Sequence, residues 1–303
     1  MDLILPLIQD GLPYRTALSI QADWYDDHGQ SLAAAALRSH GRIAAGWFHS
    51  LTIGDDGQVM AWIEVEAWKE RQYPHCRVPE GLRAVAVSGG THHSLALAVE
   101  GKVVVWGYND LRQCTMPAGL EAVAIATGDY HSVALTLDGE VVAWGTNSFG
   151  QCAVPDGLRA ITVAAGSHHS LALTANGRVV TWGSNYREQC DVPAGLRAVA
   201  ISAGNGHSLA LTPSGEVVAW GDDFDGQCRV PDGLRAIAIS AGGWHNLALT
   251  AEGQVIAWGA RHYDQCRVPD GLQAVAIAAG RTHSLALTPE GKIVTWGHPN
   301  VAK

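Results

Sequence analysis

The sequence predicts an all-β protein, a seven-bladed β-propeller built from 38-residue repeats. Three observations predict this fold. Cysteines lie 38 residues apart, a Trp-Gly pair and a histidine recur with the same period, and short apolar runs alternate with glycines. Repeats of roughly 40 residues containing four short strands are typical of propeller blades. The absence of a 3.6-residue apolar stripe excludes helical solenoids.

The recurring residues define seven units. The cysteines are Cys76, Cys114, Cys152, Cys190, Cys228 and Cys266. The tryptophans are Trp62, Trp106, Trp144, Trp182, Trp220, Trp258 and Trp296, and the histidines are His49, His93, His131, His169, His207, His245 and His283. The first unit carries six extra residues after its tryptophan. One thiol per repeat favours buried, reduced cysteines over disulfides or a shared metal site.

Each unit predicts the strands of one blade. In residues 158–195, the runs AITVAAG, HSLALT and RVVTWG read as three strands, and Asn176-Gly177 predicts a hairpin between the second and third. A fourth, weaker strand is predicted in QCDVP, where Pro193 restricts it to the edge of the sheet.

The ends of the chain predict how the ring closes. The last unit lacks its Gln-Cys-x-Val-Pro segment, and residues 24–38 read as a degenerate copy of it, with Gly29-Gln30 and Leu37-Arg38 at the matching places. We therefore expect residues 1–37 to form an N-terminal extension that includes a closing strand, which completes the last blade. Residues 38–303 form the propeller itself, in one domain with that strand.

Charge and hydropathy exclude several classes of partner. The chain has 20 Lys and Arg residues against 29 Asp and Glu, a net charge of −9, which argues against nucleic acid. No apolar run is long enough to predict a membrane span, and the first residues lack the basic region of a signal peptide. We expect a cytoplasmic monomer that binds neither nucleic acid nor membrane and needs no cofactor or metal.

The repeat resembles that of a known family. The pattern G-x-x-H-S-L-A-L-T-x-x-G-x-V-x-x-W-G-x-N-x-x-G-Q is similar to the repeat of the regulator of chromosome condensation family over residues 37–297. The Gly-Gln-Cys-x-Val-Pro continuation is closer to bacterial members, notably β-lactamase inhibitor protein II. The resemblance implies a seven-bladed propeller. It leaves the function open, because the family includes nucleotide exchange factors, enzyme inhibitors and adaptors.

The repeated residues are interpreted as structural. We expect each histidine ring to hydrogen-bond the backbone of a neighbouring blade, and each tryptophan to pack between blades with its N–H on a carbonyl. Function is therefore sought where the units differ from one another. The turns before the histidines and the loops after Trp-Gly share one end of the propeller, the variable face, because successive turns of a blade alternate between ends.

The variable face is the predicted binding surface for a protein or peptide. Outside the N-terminal segment, every Tyr and Phe lies there, beside charged residues, which is the composition of a recognition surface. The predicted aromatic anchors are Trp47, Phe48, Tyr108, Tyr130, Phe149, Tyr186, Phe224, Trp244 and Tyr263. The predicted polar contacts are Asp129, His168, Asp222, Asp223, His262 and Arg281. Such a surface suits an inhibitor or an adaptor.

An enzyme is the alternative hypothesis. Histidines and aspartates of the variable face could converge in the propeller funnel as acid and base or as metal ligands, acting on a peptide or small molecule. These residues are His92, His168, His262, His298, Asp129, Asp222, Asp223 and Asp264. They come from different units, and no catalytic spacing motif connects them.

Overall fold

The computed structural model describes residues 41–63 and 74–297, which form seven three-stranded antiparallel sheets. Blade 1 contains β1 (Ile43–Ala45), β2 (His49–Ile53) and β3 (Val59–Ile63), and blade 2 contains β4 (Ala84–Gly89), β5 (His93–Ala98) and β6 (Val103–Gly107). Blade 3 contains β7 (Ala124–Thr127), β8 (His131–Leu135) and β9 (Val141–Gly145), and blade 4 contains β10 (Thr162–Ala165), β11 (His169–Leu173) and β12 (Val179–Gly183). Blade 5 contains β13 (Ala200–Ala203), β14 (His207–Leu211) and β15 (Val217–Gly221). Blade 6 contains β16 (Ala238–Ala241), β17 (His245–Leu249) and β18 (Val255–Gly259). Blade 7 contains β19 (Ala276–Ala279), β20 (His283–Leu287) and β21 (Ile293–Gly297). Within the described ranges, no helix has the length and hydrophobicity to cross a bilayer.

The strands of each blade follow in chain order from the centre outwards. The first strand lines the central channel, the second is buried in the middle of the blade, and the third ends at the Trp-Gly pair, or at Trp62-Ile63 in blade 1. The predicted seven-bladed, all-β architecture is confirmed.

The predicted fourth strand is wrong, because the Gln-Cys-x-Val-Pro segments of the described blades form loops. In blade 3, the N–H groups of Phe149 and Cys152 donate to the side chains of Gln151 and Asn147, at 2.9 and 2.8 Å. These local bonds replace the ladder of a partner strand, and the proline that follows has no N–H to offer.

The core consists of layers between adjacent blades. Between blades 2 and 3, for example, Leu95 and Leu97 of β5 pack with Ala134 and Trp144 of the next blade, all of them buried. The tryptophan N–H donates to a carbonyl, as predicted: Trp144 Nε1 lies 2.9 Å from the Gln113 oxygen. Every blade is therefore stabilised by its neighbours rather than by a core of its own.

A belt of side-chain hydrogen bonds runs around the ring. Each repeated histidine meets, through Nε2, the residue after the histidine of the next blade, at 2.7–3.0 Å. The seven pairs of this histidine belt are His49–Ser94, His93–Ser132, His131–Ser170, His169–Ser208, His207–Asn246, His245–Ser284 and His283–Ser50. The histidines do join the blades, and each ring contacts a side chain rather than only the predicted backbone; a backbone contact of the predicted kind is present between His93 and His131 of the next blade.

Blades 1 and 7 meet and close the ring. The His283–Ser50 contact of 3.0 Å joins them, and Ile43 of β1 packs in one buried cluster with Leu285 and Leu287 of β20. The proposed closing strand, in residues 24–38, lies outside the described residues, as does the division of the chain at residue 37.

The six cysteines are free, but they are half-buried, so their predicted full burial is wrong. Five thiols donate to the carbonyl six residues earlier and so close the loop after Trp-Gly; Cys152 Sγ, for example, lies 3.2 Å from the Thr146 oxygen. Partial burial raises the pKa of Cys152 to about 11, which keeps the thiol protonated and unreactive.

Candidate binding face

The turns before the histidines and the loops after Trp-Gly lie at the same end of the propeller. The two segments are joined by backbone hydrogen bonds, such as Tyr108 N–H to His92 O and Thr146 N–H to Tyr130 O, both 2.9 Å. The two other kinds of turn meet at the opposite end, where Ala160 N–H donates to Gly139 O. The variable face is therefore one continuous surface around the channel mouth.

The first residue of each turn before a histidine forms a ring around the channel mouth. The mouth ring consists of Trp47, Thr91, Asp129, Ser167, Asn205, Gly243 and Arg281, and all but Thr91 line the channel. The channel cavity has a volume of about 350 Å³. The walls of the channel consist mainly of small residues from the inner strands. Most of the charged and aromatic side chains that a ligand in the channel could contact therefore belong to the mouth ring.

Arg281 lies between two indole rings at the mouth. Its guanidinium carbon is 3.6 Å from the ring centroid of Trp47 and 4.9 Å from that of Trp244. Stacking of this kind orients a guanidinium group and leaves its edge free for hydrogen bonding. Its buried Nε, like the buried Nε1 of Trp47, has no hydrogen-bond partner among the described residues.

Asp129 belongs to the same ring, on blade 3. Burial raises the pKa of its carboxyl group, while the nearby hydroxyls of Ser167 and Thr91 and the charges of His168 and Arg281 oppose this effect. In the described part of the chain, neither Asp129 nor Arg281 takes part in an ion pair. The mouth therefore carries one negative and one positive group that are not joined in an ion pair, although each charge affects the pKa of the other group.

Aromatic side chains form a row across blades 1 to 3 of the variable face. The aromatic row consists of Phe48, His92, Tyr108 and Tyr130. Phe48 stacks on His92 with 5.5 Å between ring centroids, and His92 meets Tyr108 edge-on at 5.5 Å and Tyr130 at 6.3 Å. The row joins the mouth ring through Trp47, whose ring is 5.8 Å from that of Phe48.

Sequence reasoning missed His75, which supports this row from below. The residue is buried, and its ring centroid lies 4.7 Å from that of His49 and 5.7 Å from that of His92. Burial, followed by the charge of His92, lowers the pKa of His75 to about 4. The available signal was the sequence itself, because the five other units that contain this cysteine have glutamine at the position before it.

A second aromatic cluster lies on blades 3 and 4. His168 packs 4.9 Å from Phe149, which meets Tyr186 edge-on at 6.0 Å. Tyr186 is 83% exposed and Phe224, on the loop of blade 5, is 88% exposed. Tyr263, on the loop of blade 6, is also exposed. The predicted aromatic anchors thus divide into the mouth, the row, this cluster and two separate loop tips.

Several predicted polar contacts have local roles in the loops. Asp223 accepts hydrogen bonds from the Cys228 N–H at 2.9 Å and from Arg229 Nε at 3.0 Å, so it holds the loop of blade 5 in shape. Asp222 lies 3.3 Å from the N–H of Phe224. His262 pairs with Asp225 of the preceding loop at 3.1 Å.

The residues of the enzyme hypothesis do not form one cluster. Asp129 and His168 are neighbours at the mouth, whereas Asp223 and His262 belong to outer loops. His298 lies outside the described residues. Among the residues that the structure describes, no group of three or more His, Cys, Asp or Glu side chains could hold a metal ion.

Comparison with known proteins identifies relatives of the fold. The profile of the regulator of chromosome condensation (RCC1) repeat matches residues 84–113, 122–151, 160–189, 198–227, 236–265 and 274–301. Protein pim1 of Schizosaccharomyces pombe is 34% identical over 91 residues, which cover 26% of this chain and 17% of that protein. The CRINKLY ectodomain of the Arabidopsis thaliana receptor kinase ACR4 superimposes with a TM-score of 0.70 at 19% identity, covering 86% of this chain and 98% of that one. Prp20p of Saccharomyces cerevisiae, described with its binding properties to Gsp1p and histones, gives a TM-score of 0.66 at 18% identity, covering 84% and 82%.

Proposed function

Because the chain belongs to the regulator of chromosome condensation repeat family, we propose that it is a propeller that binds a protein or peptide through its variable face. The aromatic row carries this proposal. Four aromatic rings, three of which each contact the central His92 ring, are continuous with the mouth ring and supply the apolar area that binding hot spots need. Their backbone positions are fixed by strand ends, so little conformational entropy is lost on docking.

The distribution of exposed aromatic residues supports the same face. Within the described ranges, every exposed aromatic side chain lies in a loop after Trp-Gly: Tyr108, Phe149, Tyr186, Phe224 and Tyr263. The opposite face exposes the single aliphatic residues Val99 and Leu137 instead. Isolated aliphatic residues are ordinary on protein surfaces, whereas a set of exposed rings on one face favours a binding site.

The kind of partner follows from the charge and from the relatives. A net charge of −9 favours a protein over a nucleic acid. Prp20p, a relative in fold, is described with protein partners. The likeness of the Gly-Gln-Cys-x-Val-Pro segment to β-lactamase inhibitor protein II extends the proposal to inhibition, with the face covering a functional site of its partner. The free thiols fit a protein that acts in a reducing compartment such as the cytoplasm.

The test is affinity capture followed by calorimetry with the purified captured protein. Phe48→Ala and Tyr130→Ala should each weaken binding by about 30-fold, as the loss of an anchor worth about 2 kcal/mol would. Val99→Ala and Leu137→Ala remove exposed apolar groups from the opposite face and should leave the affinity unchanged. Equal effects of both pairs, or an effect of the second pair alone, would contradict the proposal.

A further inference from the structure

We propose that the channel mouth binds a compact zwitterion, a free amino carboxylate, with its carboxylate on Arg281 and its ammonium group on Asp129. This site goes beyond the proposed docking of a macromolecule, and it uses other residues than the aromatic row. Both charged side chains line the same cavity, on blades 7 and 3 of a seven-bladed ring, and so face each other from opposite sides of the mouth.

Arg281 is built to receive a carboxylate. The indole rings of Trp47 and Trp244 fix the plane of its guanidinium group at 3.6 and 4.9 Å, and its buried Nε has no partner among the described residues. A planar guanidinium with a free edge matches the two oxygens of a carboxylate. The same stacking restricts the side chain before binding, which lowers the entropic cost of capturing an anion.

Asp129 supplies the opposite charge. Its carboxylate stands beside the hydroxyls of Ser167 and Thr91, which are both buried and belong to the adjacent blades. Asp129 and Ser167, which both line the channel, offer oxygen acceptors to an ammonium group, which carries three donors and no acceptor. Nearby Asn205, also in the mouth ring, offers both a donor and an acceptor to the middle of a ligand.

The size of the cavity and the presence of both signs of charge favour this ligand class. A volume of about 350 Å³ lies at the lower end of the range of small-molecule pockets. Arg281 and Asp129 do not form an ion pair with each other, so each of them can accept a direct contact from a ligand that carries the opposite charge. A free amino carboxylate carries both charges within a few bonds.

The experiment measures binding of defined probes by titration calorimetry. Glycine, 4-aminobutyrate and 6-aminohexanoate vary the distance between the two charges, while butyrate and butylamine each carry one of them. We expect at least one zwitterion to bind at millimolar concentration or below. Its single-charge counterpart should bind at least about tenfold more weakly, because one charged contact is then lost.

Variants of the full chain assign the site. Arg281→Gln and Asp129→Asn should each weaken zwitterion binding by about tenfold or more. Arg197→Gln and Asp232→Asn, at exposed positions on the opposite face, are the matched controls and should leave zwitterion binding unchanged. Thermal melting checks that each variant is folded. Arg281→Lys is a second test: it keeps the charge but loses the planar, stacked group, and it should also weaken zwitterion binding.

Two results would overturn the proposal. One is the absence of binding by all three zwitterions to the folded wild-type protein at millimolar concentration. The other is binding that persists unchanged in both Arg281→Gln and Asp129→Asn. Tyr186→Ala separates this site from the proposed docking face, because it removes an exposed ring of that face and should leave zwitterion binding intact.

Discussion

The histidine belt and the mouth ring lie two residues apart in every repeat, yet they differ in almost every respect. In the belt, the same ring meets a serine or asparagine of the next blade seven times, at 2.7–3.0 Å. In the mouth ring, seven positions hold seven different residue types. The belt therefore stabilises the propeller through identical local contacts. The mouth ring is left free to vary, because its side chains enter the channel rather than the core.

Acidification should break the belt and so have the largest effect. Burial lowers the pKa of six belt histidines, to about 3 for His93, His131, His169 and His245. Below pH 6.5 the unfolded chain takes up protons that the folded chain cannot, so the free energy of unfolding falls as the pH falls. Each ring contributes up to about 1.4 kcal/mol per pH unit, so the four rings with a pKa of about 3 should by themselves bring the protein close to unfolding at about pH 5.

Urea unfolding at a series of pH values between 7 and 4.5 measures this slope. A belt histidine replaced by glutamine, such as His131→Gln, should make the slope shallower even though it lowers the stability at pH 7. A free energy of unfolding that stays constant over this range would show that the rings are not held neutral in the fold.

Gly204 and Gly206, on either side of the mouth-ring residue Asn205, allow a comparison at a spacing of two residues. A Cβ on Gly204 would fall 2.5 Å from the Gly242 carbonyl oxygen of the next blade and closer still to the ring of His207. A Cβ on Gly206 would meet nothing nearer than 3.5 Å. Gly204→Ala should therefore cost about 3 kcal/mol and Gly206→Ala less than about 0.5 kcal/mol, measured by urea unfolding.

Ser208 tests a single link of the belt. Its hydroxyl donates to the Gln189 carbonyl at 2.9 Å and faces His169 Nε2 at 3.0 Å. Ser208→Ala leaves both buried groups without this partner and should cost about 2 kcal/mol. Ser214→Ala, at an exposed turn, is the control and should stay within about 0.5 kcal/mol of the wild type. Equal costs for the two variants would contradict a structural role for the belt.

The smallest expected effect is a gain in stability on the variable face. Glu188 has a φ of 62°, whereas the equivalent positions of the neighbouring blades are Gly150 and Gly226, with φ of 80° and 78°. Glu188→Gly should raise the free energy of unfolding by about 0.5–1 kcal/mol, because glycine relieves the left-handed strain. Glu188→Ala, which keeps a Cβ, should give no such gain by the same measurement.

The sequence could predict the contacts that repeat in every blade, as in the belt, better than those that occur once, as in the mouth ring. Period and alternation were sufficient for seven blades, for the first three strands of each blade and for the tryptophan N–H bonds, because these contacts repeat. The fourth strand was mispredicted because an apolar Val-Pro segment reads as extended, whereas Gln151 and Asn147 hold it as a loop through side-chain bonds. The periodic pattern carries no information about such side-chain competition.

The site depends on contacts that occur once. Trp47, Trp244 and Arg281 come from the first, sixth and seventh units, and they become neighbours only when the ring closes. Each was predicted separately as a contact residue, but no spacing in the chain indicates that they stack. His75 was missed for a related reason, since a single departure from the repeat has no period to reveal it.

The hydrogen bonds of the belt also run in one direction around the ring. The hydroxyl of Ser170 donates its proton to the Gln151 carbonyl at 2.9 Å, so only a lone pair remains for His131, whose Nε2 must carry the hydrogen. The same logic fixes the tautomer of His93 and His169. The donors thus point one way around the circle, always from one blade to the next. Every such bond joins adjacent blades only, so the belt does not determine the number of blades. A chain with one duplicated unit would satisfy each bond equally well.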